Sequence, residues 1–251
     1  MIRPFFLLFL IFFLFFKKKV MDETISIVVC STKSAEENEK FIKNIEETTE
    51  CTCHVFYLVN MEGVGLTKIY GDFIKSTEIQ NKDDIVVFIH DDIEFLKRGW
   101  DREIIRLFNE NKDYGIIGVA GSAQFDQKGA WWNYEKKYGQ VLHRSEGKSW
   151  LTAFSPLLKK DLEEVCVIDG LFMAVHTKRI SKDFDESIKG FDFYDIDFCL
   201  ANFIDKKTKI GVTTNIRVAH NSVGKLKPTW YENRDLINEK YKNYLPINLK
   251  K

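Results

Sequence analysis

A run of five apolar residues at 85–89 leads directly into His90, Asp91 and Asp92. Four of the five are β-branched, which predicts a strand buried on both faces of a sheet. Open α/β sheets bind ligands beyond the carboxyl ends of their strands. Two adjacent carboxylates in that place repel each other and lose solvation, unless a cation or a donor-rich ligand compensates. Taken alone, the stretch fits a ligand site and a solvated acidic turn about equally.

The composition indicates a globular protein and excludes some partners. Hydrophobic residues make up 45% of the 251 positions and charged residues 29%, which is enough for a core. Lys+Arg and Asp+Glu both total 37, so the chain lacks the basic excess that non-specific nucleic-acid binding requires. The five cysteines show no paired spacing beyond Cys51 and Cys53. This favours a reducing, cytoplasmic location without a disulfide framework or zinc ribbon.

The first twenty residues differ from the rest of the chain. Residues 5–16 form an unbroken apolar run, preceded by Arg3 and followed by three lysines. The run is shorter than the roughly 20 residues that a membrane helix needs, and no small-residue cleavage site follows it. Three interpretations remain open: a short anchor at the inner face of the membrane, an uncleaved signal anchor, or a true translation start at Met21. We therefore treat 1–20 as a separate segment.

Strand and helix patterns alternate through the first half of the chain. Strands are predicted at 25–30, 55–59, 85–89 and 116–119. A capping-box pattern, Ser34 with Glu37, predicts a helix after the first strand. This alternation predicts a single α/β domain with a mostly parallel central sheet flanked by helices. We place that domain at 21–225 and a helical tail at 226–251, and we expect a strand pair or bent strand within 165–176.

Three aspartates, Asp192, Asp195 and Asp197, lie among aromatic residues within six positions. Apolar residues from 196 to 203 recur at helical spacing, which places Asp195 at a helix N-terminus, where backbone amides and the helix dipole favour a carboxylate. A helix cap explains one carboxylate but not three. His220 follows an apolar strand predicted at 210–218. A lone histidine in that place is more often a hydrogen-bonded structural group than a metal ligand.

With both acidic clusters and His220, the chain resembles the GT-A-fold, family 2-like glycosyltransferases of bacterial surface-polysaccharide synthesis, over roughly residues 24–225. In that family a strand ends in a D-x-D-type motif that holds a divalent metal on the donor diphosphate. His90-Asp91-Asp92 occupies this place, with a histidine instead of the first acid. The resemblance implies that Asp92 binds the metal together with His90 and His220.

The resemblance also implies the catalytic base. An E-D-type motif supplies an aspartate that deprotonates the acceptor hydroxyl, and Tyr194-Asp195 occupies its place without the usual glutamate. At a helix N-terminus Asp195 is expected to stay ionised. General-base assistance is worth typically about 10²–10⁴-fold. One base opposite one leaving group predicts inversion at the anomeric carbon.

The expected substrates are a nucleotide-sugar donor, with a UDP-sugar as the family-level expectation, and a saccharide or lipid-linked acceptor. Mn²⁺ or Mg²⁺ would stabilise charge on the leaving diphosphate, and an imidazole ligand shifts the preference towards Mn²⁺. Nucleotide binding is expected at the loops after the first two strands, at Ser31 and Asn60, with Asp91 near the ribose. The residues expected to shape the sugar or acceptor site are Trp131, Trp132, Asp169, Gly170 and Asp197.

Two other functions remain open at this point. Sugar-nucleotide nucleotidyltransferases share a related sheet, but they need a glycine-rich basic loop after the first strand, and residues 31–35 contain no glycine. A non-catalytic nucleotide- or sugar-binding module is compatible with the altered residues His90 and Tyr194.

Overall fold

The computed structural model describes residues 11–16, 24–76, 84–205, 208–224 and 226–249. Of the apolar run at 5–16, residues 11–16 form a strand, and residues 5–10 lie outside the described part of the chain. The proposed start at Met21 and the three lysines before it also lie outside it. Within the described ranges, no helix combines the length and apolarity needed to cross a bilayer.

The described residues form short strands and five α-helices. In chain order the strands are β1 (Ile11–Phe16), β2 (Thr24–Ser31), β3 (Thr52–Val59), β4 (Ile85–His90), β5 (Ile93–Phe95), β6 (Tyr114–Gly118), β7 (Ala120–Ser122), β8 (Gln124–Phe125), β9 (Lys137–Ser145), β10 (Lys148–Ala153), β11 (Glu163–Val165), β12 (Val167–Ile168), β13 (Phe172–His176), β14 (Lys209–Val212), β15 (Val218–His220) and β16 (Ile247–Asn248). The helices are α1 (Glu39–Thr48), α2 (Leu66–Lys75), α3 (Trp100–Glu110), α4 (Tyr194–Ile204) and α5 (Pro228–Lys240).

Eight of the described strands form the central sheet, in the order β1-β3-β2-β4-β13-β6-β14-β11. β3, β2, β4, β6 and β14 run in one direction, and β1, β13 and β11 run the opposite way. The predicted α/β fold with a central sheet and flanking helices is confirmed. The strand predicted at 85–89 is β4, which is buried throughout and extends one residue further to His90.

The antiparallel strand β13 decides what lies beside the end of β4. β13 pairs with β4 so that Phe172 lies opposite Ile89, and the His90 amide donates to the Leu171 carbonyl at 3.1 Å. Because β13 runs in the opposite direction to β4, the residues just before β13 lie beside the last residue of β4. Asp169 and Gly170 are therefore placed beside His90.

A second sheet brings the end of β15 to the same place. Its order is β12-β7-β9-β15-β5, with β10 paired to β9. β15 pairs antiparallel with β5, so that His220 lies opposite Ile93, and the Asn221 amide donates to the Asp92 carbonyl at 2.9 Å. β5 follows β4 after a two-residue turn. The pairing therefore holds His220 next to Asp92 although the two residues are far apart in sequence.

The C-terminal helix α5 packs back onto the domain. Pro228 begins it, as its fixed φ suits a first helical position. Asn233 donates to the Lys189 and Asp192 carbonyls at 2.7 and 3.0 Å, and β16 pairs with β8 beyond the helix. These contacts fix the segment 189–193 immediately before α4. They therefore also fix the position of the first turn of α4.

Candidate active site

Two histidines and one aspartate form a compact cluster where β4 and β15 end. One ligand atom from each of His90, Asp92 and His220 lies within 4.8 Å of the other two. His220 Nε2 is 3.2 Å from Asp92 Oδ1, and the two imidazole rings are 5.8 Å apart. The structure thus brings together the three residues that the family resemblance assigned to a metal.

The cluster fits a divalent cation on its own chemistry. Asp92 Oδ1 is buried and has no hydrogen bond of good geometry within the described part of the chain. Burial alone would raise the pKa of Asp92, but the adjacent His220 imidazole outweighs it and holds that pKa below the usual range. A buried, ionised oxygen that lacks a well-formed hydrogen bond is costly unless a cation meets it. Two imidazoles and one carboxylate suit a divalent transition-metal ion better than Ca²⁺.

Tyr194 links this cluster to the loop before β13. Its hydroxyl donates to the Gly170 carbonyl at 2.9 Å and lies 3.1 Å from His90 Nε2. A Cβ at position 170 would lie 2.1 Å from the same hydroxyl. Only glycine leaves room for this contact. Gly170, which was predicted in the substrate site, therefore packs against Tyr194.

Asp195, the predicted base, is held by two backbone amides. Its Oδ2 accepts from Gly170 N at 2.7 Å and its Oδ1 from Ile196 N at 2.8 Å. Burial, and next the charge of Asp169, raise the pKa of Asp195 to about 7, although both amides oppose the shift. The expectation that Asp195 stays fully ionised therefore fails near neutral pH. A carboxylate with this pKa is well matched to general-base chemistry at pH 7.

Asp169 lies on the same loop and contributes to this electrostatic setting. Its Oδ1 accepts from Leu171 N at 3.0 Å, which closes the turn into β13. The side chain is only partly buried and lines the same cavity as Asp195. A second carboxylate so close favours the protonated form of Asp195. A substrate that hydrogen-bonds to Asp169 would therefore also influence the base.

Two cavities meet at the cluster formed by His90, Asp92 and His220. The larger, of about 460 Å³, is lined by Asp169 and Asp195, and by aromatic side chains. The smaller, of about 290 Å³, is lined by the residues after β2, β3 and β4, including Asp91 and Asp92. His90 and His220 line both cavities. The cluster therefore lies at the boundary between a cavity that holds the candidate base and a separate cavity at the strand ends.

The three residues predicted to bind the nucleotide, Ser31, Asn60 and Asp91, all line the smaller cavity, but their side chains make different contacts. Ser31 Oγ donates to Asp91 Oδ2 at 2.5 Å, which ties the end of β2 to the turn after β4. The Asn60 side chain donates to the Val64 carbonyl and accepts from the Val64 amide, at 2.8 and 2.9 Å. Asn60 thus closes its own loop, and its side-chain amide is already engaged.

Trp131 and Trp132 both line the larger cavity. Trp131 is 3% exposed and packs against Phe154, with ring centroids 4.9 Å apart. Trp132 is less buried and packs against Trp230 at 6.3 Å. Both therefore contribute to the core as well as to the cavity wall, and Trp132 has the more accessible ring.

Asp197 was also predicted in the substrate site, but the structure places its side chain elsewhere. Its carboxylate is 1% exposed, pairs with Lys240 Nζ at 2.7 Å and accepts from the Tyr241 hydroxyl at 2.8 Å. It lines neither of the two cavities. Residues two positions apart on a helix point about 200° apart, so Asp195 and Asp197 cannot face the same site. Asp197 instead joins α4 to the C-terminal tail.

His143 is a site residue that the sequence did not reveal. β9 runs parallel to β15, which places His143 opposite His220, with ring centroids 5.7 Å apart. It lines the larger cavity and stacks on Trp150. Its Nδ1 is buried without a hydrogen-bond partner among the described residues. No local pattern in the irregular segment 122–164 could have predicted this pairing between distant strands.

The sequence matches the model of a glycosyltransferase-like family over residues 26–244. The chain belongs to this family and is a glycosyltransferase. No curated protein matches it in sequence.

Solved structures are similar to this chain at low sequence identity. GalNAc-T7 is 12% identical with a TM-score of 0.50, and the match covers 88% of this chain and 50% of that one. TarS from S. aureus is 13% identical with a TM-score of 0.45, covering 91% and 40%. A197 from STIV is 13% identical with a TM-score of 0.45, covering 80% and 86%. The likeness to GalNAc-T7 is one of fold, which is GT-A. The chain spans half the length of GalNAc-T7 and less than half of TarS.

Proposed function

We propose that the protein is an inverting, metal-dependent glycosyltransferase that moves a sugar from a UDP-sugar to a saccharide or lipid-linked acceptor in surface-polysaccharide or lipopolysaccharide synthesis. The observation that carries the proposal is the position of His90, Asp92 and His220 between two cavities, one of which holds Asp195. Inverting transfer fits this division, because the attacking hydroxyl and the leaving diphosphate then lie on opposite sides of the sugar.

The smaller cavity is the proposed nucleotide site. Asp92, with His90 and His220, would hold Mn²⁺, which when bound supplies a Lewis acid for the charge on the leaving diphosphate. Ser31 and Asp91 form a hydrogen-bonded pair at the ends of β2 and β4 that can orient the nucleoside. The crystal structure of GalNAc-T7 contains UDP, GalNAc and Mn²⁺, which makes UDP and Mn²⁺ the first ligands to test here.

The larger cavity is the proposed site of the sugar and the acceptor. Asp195 takes the proton of the acceptor hydroxyl as that oxygen attacks the anomeric carbon. The Gly170 and Ile196 amides hold the two carboxylate oxygens and so fix the direction from which the base acts. Trp132 offers an aromatic face for a sugar ring. A single base opposite the leaving diphosphate gives inversion.

The location of the reaction is part of the same proposal. The five cysteines show no spacing typical of a disulfide framework, which agrees with a reducing, cytoplasmic compartment. We place the enzyme at the inner face of the membrane, with the lysines at 17–19 as the contact, because residues 11–16 of the apolar run pair with β3 in the central sheet. The acceptor would then be reached at the membrane surface.

Calorimetric titration with UDP, with and without Mn²⁺, tests the donor site. We expect UDP binding that depends on Mn²⁺ in the wild type and is lost in Asp92→Ala. Asp72→Ala is the matched control, because Asp72 is an exposed partner of Lys68 on α2 and lies outside both cavities. Equal UDP binding with and without Mn²⁺ would remove the metal from the proposal. Screening of UDP-sugars with saccharide and lipid-linked acceptors then tests the transfer itself.

A further inference from the structure

The hydroxyl of Tyr194 lies between two groups that both need a hydrogen-bond partner. One is the carbonyl of the buried residue Gly170, at 2.9 Å, and the other is His90 Nε2, at 3.1 Å. Tyr194 itself is 3% exposed and its contact with the Gly170 carbonyl is buried, so water does not compete for that contact. The Gly170 carbonyl therefore has to be satisfied by the protein itself.

The arrangement of protons follows from counting donors and acceptors. A phenol hydroxyl has one proton and can accept from a second donor, whereas a carbonyl can only accept. Among the described residues, no other donor reaches the Gly170 oxygen. If the Tyr194 proton pointed at His90, this buried carbonyl would lack a partner, which proteins rarely tolerate. The hydroxyl therefore donates to Gly170 and must accept from His90 Nε2.

We propose that Tyr194 is a positioning residue that holds neutral His90 in the tautomer protonated on Nε2, so that Nδ1 is the ring atom with a lone pair for a cation. This inference rests on the metal-dependent function proposed above. In metal sites, the hydrogen bond made by one ring nitrogen of a histidine selects which nitrogen binds the metal. Here the second partner is a tyrosine hydroxyl instead of the more usual carboxylate or backbone carbonyl.

The same residues also connect the cation site to the base. The Gly170 carbonyl accepts from Tyr194, while the Gly170 amide donates to Asp195 Oδ2 at 2.7 Å. Tyr194 and Asp195 are neighbours in the first turn of α4. One glycine residue thus fixes both the hydroxyl that orients His90 and the carboxylate that acts on the acceptor. A shift of the loop at 169–171 would disturb both at once.

The tautomer can be measured directly on the full-length chain without metal. Long-range ¹H–¹⁵N spectra distinguish protonated from unprotonated ring nitrogens, and the signals of His90 are identified by their loss in His90→Gln. We expect the wild type to show the proton on Nε2. In Tyr194→Phe we expect a mixture of tautomers, together with Mn²⁺ affinity in the presence of UDP that is weaker by about 10- to 100-fold.

Tyr70→Phe is the matched control for loss of a buried hydroxyl. Tyr70 is 1% exposed, lines the smaller cavity and has its ring 5.7 Å from that of Tyr194, but within the described residues the hydroxyl hydrogen-bonded to His90 Nε2 is that of Tyr194. We expect this variant to keep the Nε2-protonated tautomer. A general loosening of the aromatic core would instead change the His90 signals in both tyrosine variants.

Two results would overturn the inference. One is a wild-type His90 with its proton on Nδ1, which can be read even if Tyr194→Phe fails to fold. The other is a folded Tyr194→Phe with unchanged tautomer and unchanged Mn²⁺ affinity. A wild type that binds no Mn²⁺ at all would contradict the metal-dependent function and leave the tautomer assignment standing, so the two failures are distinguishable.

Discussion

His90 Nε2 and the Tyr194 hydroxyl are 3.1 Å apart although the residues are separated by 104 positions in sequence. Both residues depart from the pattern that the family resemblance predicts, in which an acid stands at each position. Two carboxyl groups in this contact would repel each other when ionised. A histidine and a tyrosine instead form a neutral hydrogen bond. The two departures from the family pattern therefore complement each other across the sheet edge.

Replacement of the candidate base should abolish transfer but preserve donor binding. In Asp195→Asn the amide oxygen can still accept from Gly170, while the group can no longer take a proton. We expect a loss of turnover of about 10²–10⁴-fold with Mn²⁺-dependent UDP affinity unchanged, measured by product formation and calorimetry. Turnover close to that of the wild type would exclude Asp195 as the base.

The pH dependence of transfer should follow the raised pKa of Asp195, which is about 7. The base acts only when ionised, so kcat/KM should rise as the pH rises through about 7 and level off above it. Measurement from pH 5.5 to 9 with the metal concentration held saturating checks this. A profile that is flat across neutral pH would contradict the raised pKa.

The same carboxyl should make the folded protein less stable as the pH rises. Between the unfolded pKa of about 4 and the folded pKa of about 7, the folded state binds more protons than the unfolded state. Stability therefore falls with increasing pH across this window. Thermal unfolding of Asp195→Asn should lack this contribution, so the Tm difference between variant and wild type should favour the variant increasingly from pH 5 to pH 8.

Gly170→Ala should destabilise the protein through steric conflict. The added methyl group would lie 2.1 Å from the Tyr194 hydroxyl and 3.0 Å from Asp195 Cβ. Overpacking of this kind costs typically about 1–3 kcal/mol, which thermal or urea unfolding can measure. Gly224→Ala is the control for stability, because a Cβ there meets nothing within 4 Å. Equal stability of the two variants would show that the Gly170 loop can move away.

Lys240→Met should lower stability without removing donor binding. It leaves Asp197, which is 1% exposed, without its ion-pair partner, and breaking a buried pair costs up to about 3–5 kcal/mol. Lys240 itself is 33% exposed, so a smaller loss is expected. Asp197→Asn keeps a hydrogen-bonding group there and should cost less. A selective loss of sugar-donor affinity in Asp197→Asn, with normal Tm, would restore Asp197 to the substrate site.

Local patterns predicted the parts of the fold that depend on neighbouring residues. Runs of mainly apolar residues predicted β2, β3, β4 and β6. The capping-box pair is present, since Ser34 N donates to Glu37 Oε2 at 2.7 Å and Glu37 N donates to Ser34 Oγ at 3.2 Å. α1 nevertheless begins only at Glu39, because residues 35–38 form a turn before it. The acidic groups at the end of β4 and in the first turn of α4 were likewise visible in sequence.

Contacts between distant segments were decided by the tertiary structure alone. β13 runs antiparallel beside β4 and so brings Gly170 to His90. β15 pairs with β5 and β9, and so brings His220 to Asp92 and His143 to His220. Strand order and direction depend on which buried faces pack best over the whole chain, and no short segment encodes them. The helical rotation between Asp195 and Asp197 was available from sequence, but only the packing of α5 showed which of the two faces the cavity. The sequence by itself therefore determined the chemical groups and the strands that carry them, and the tertiary structure decided which groups meet.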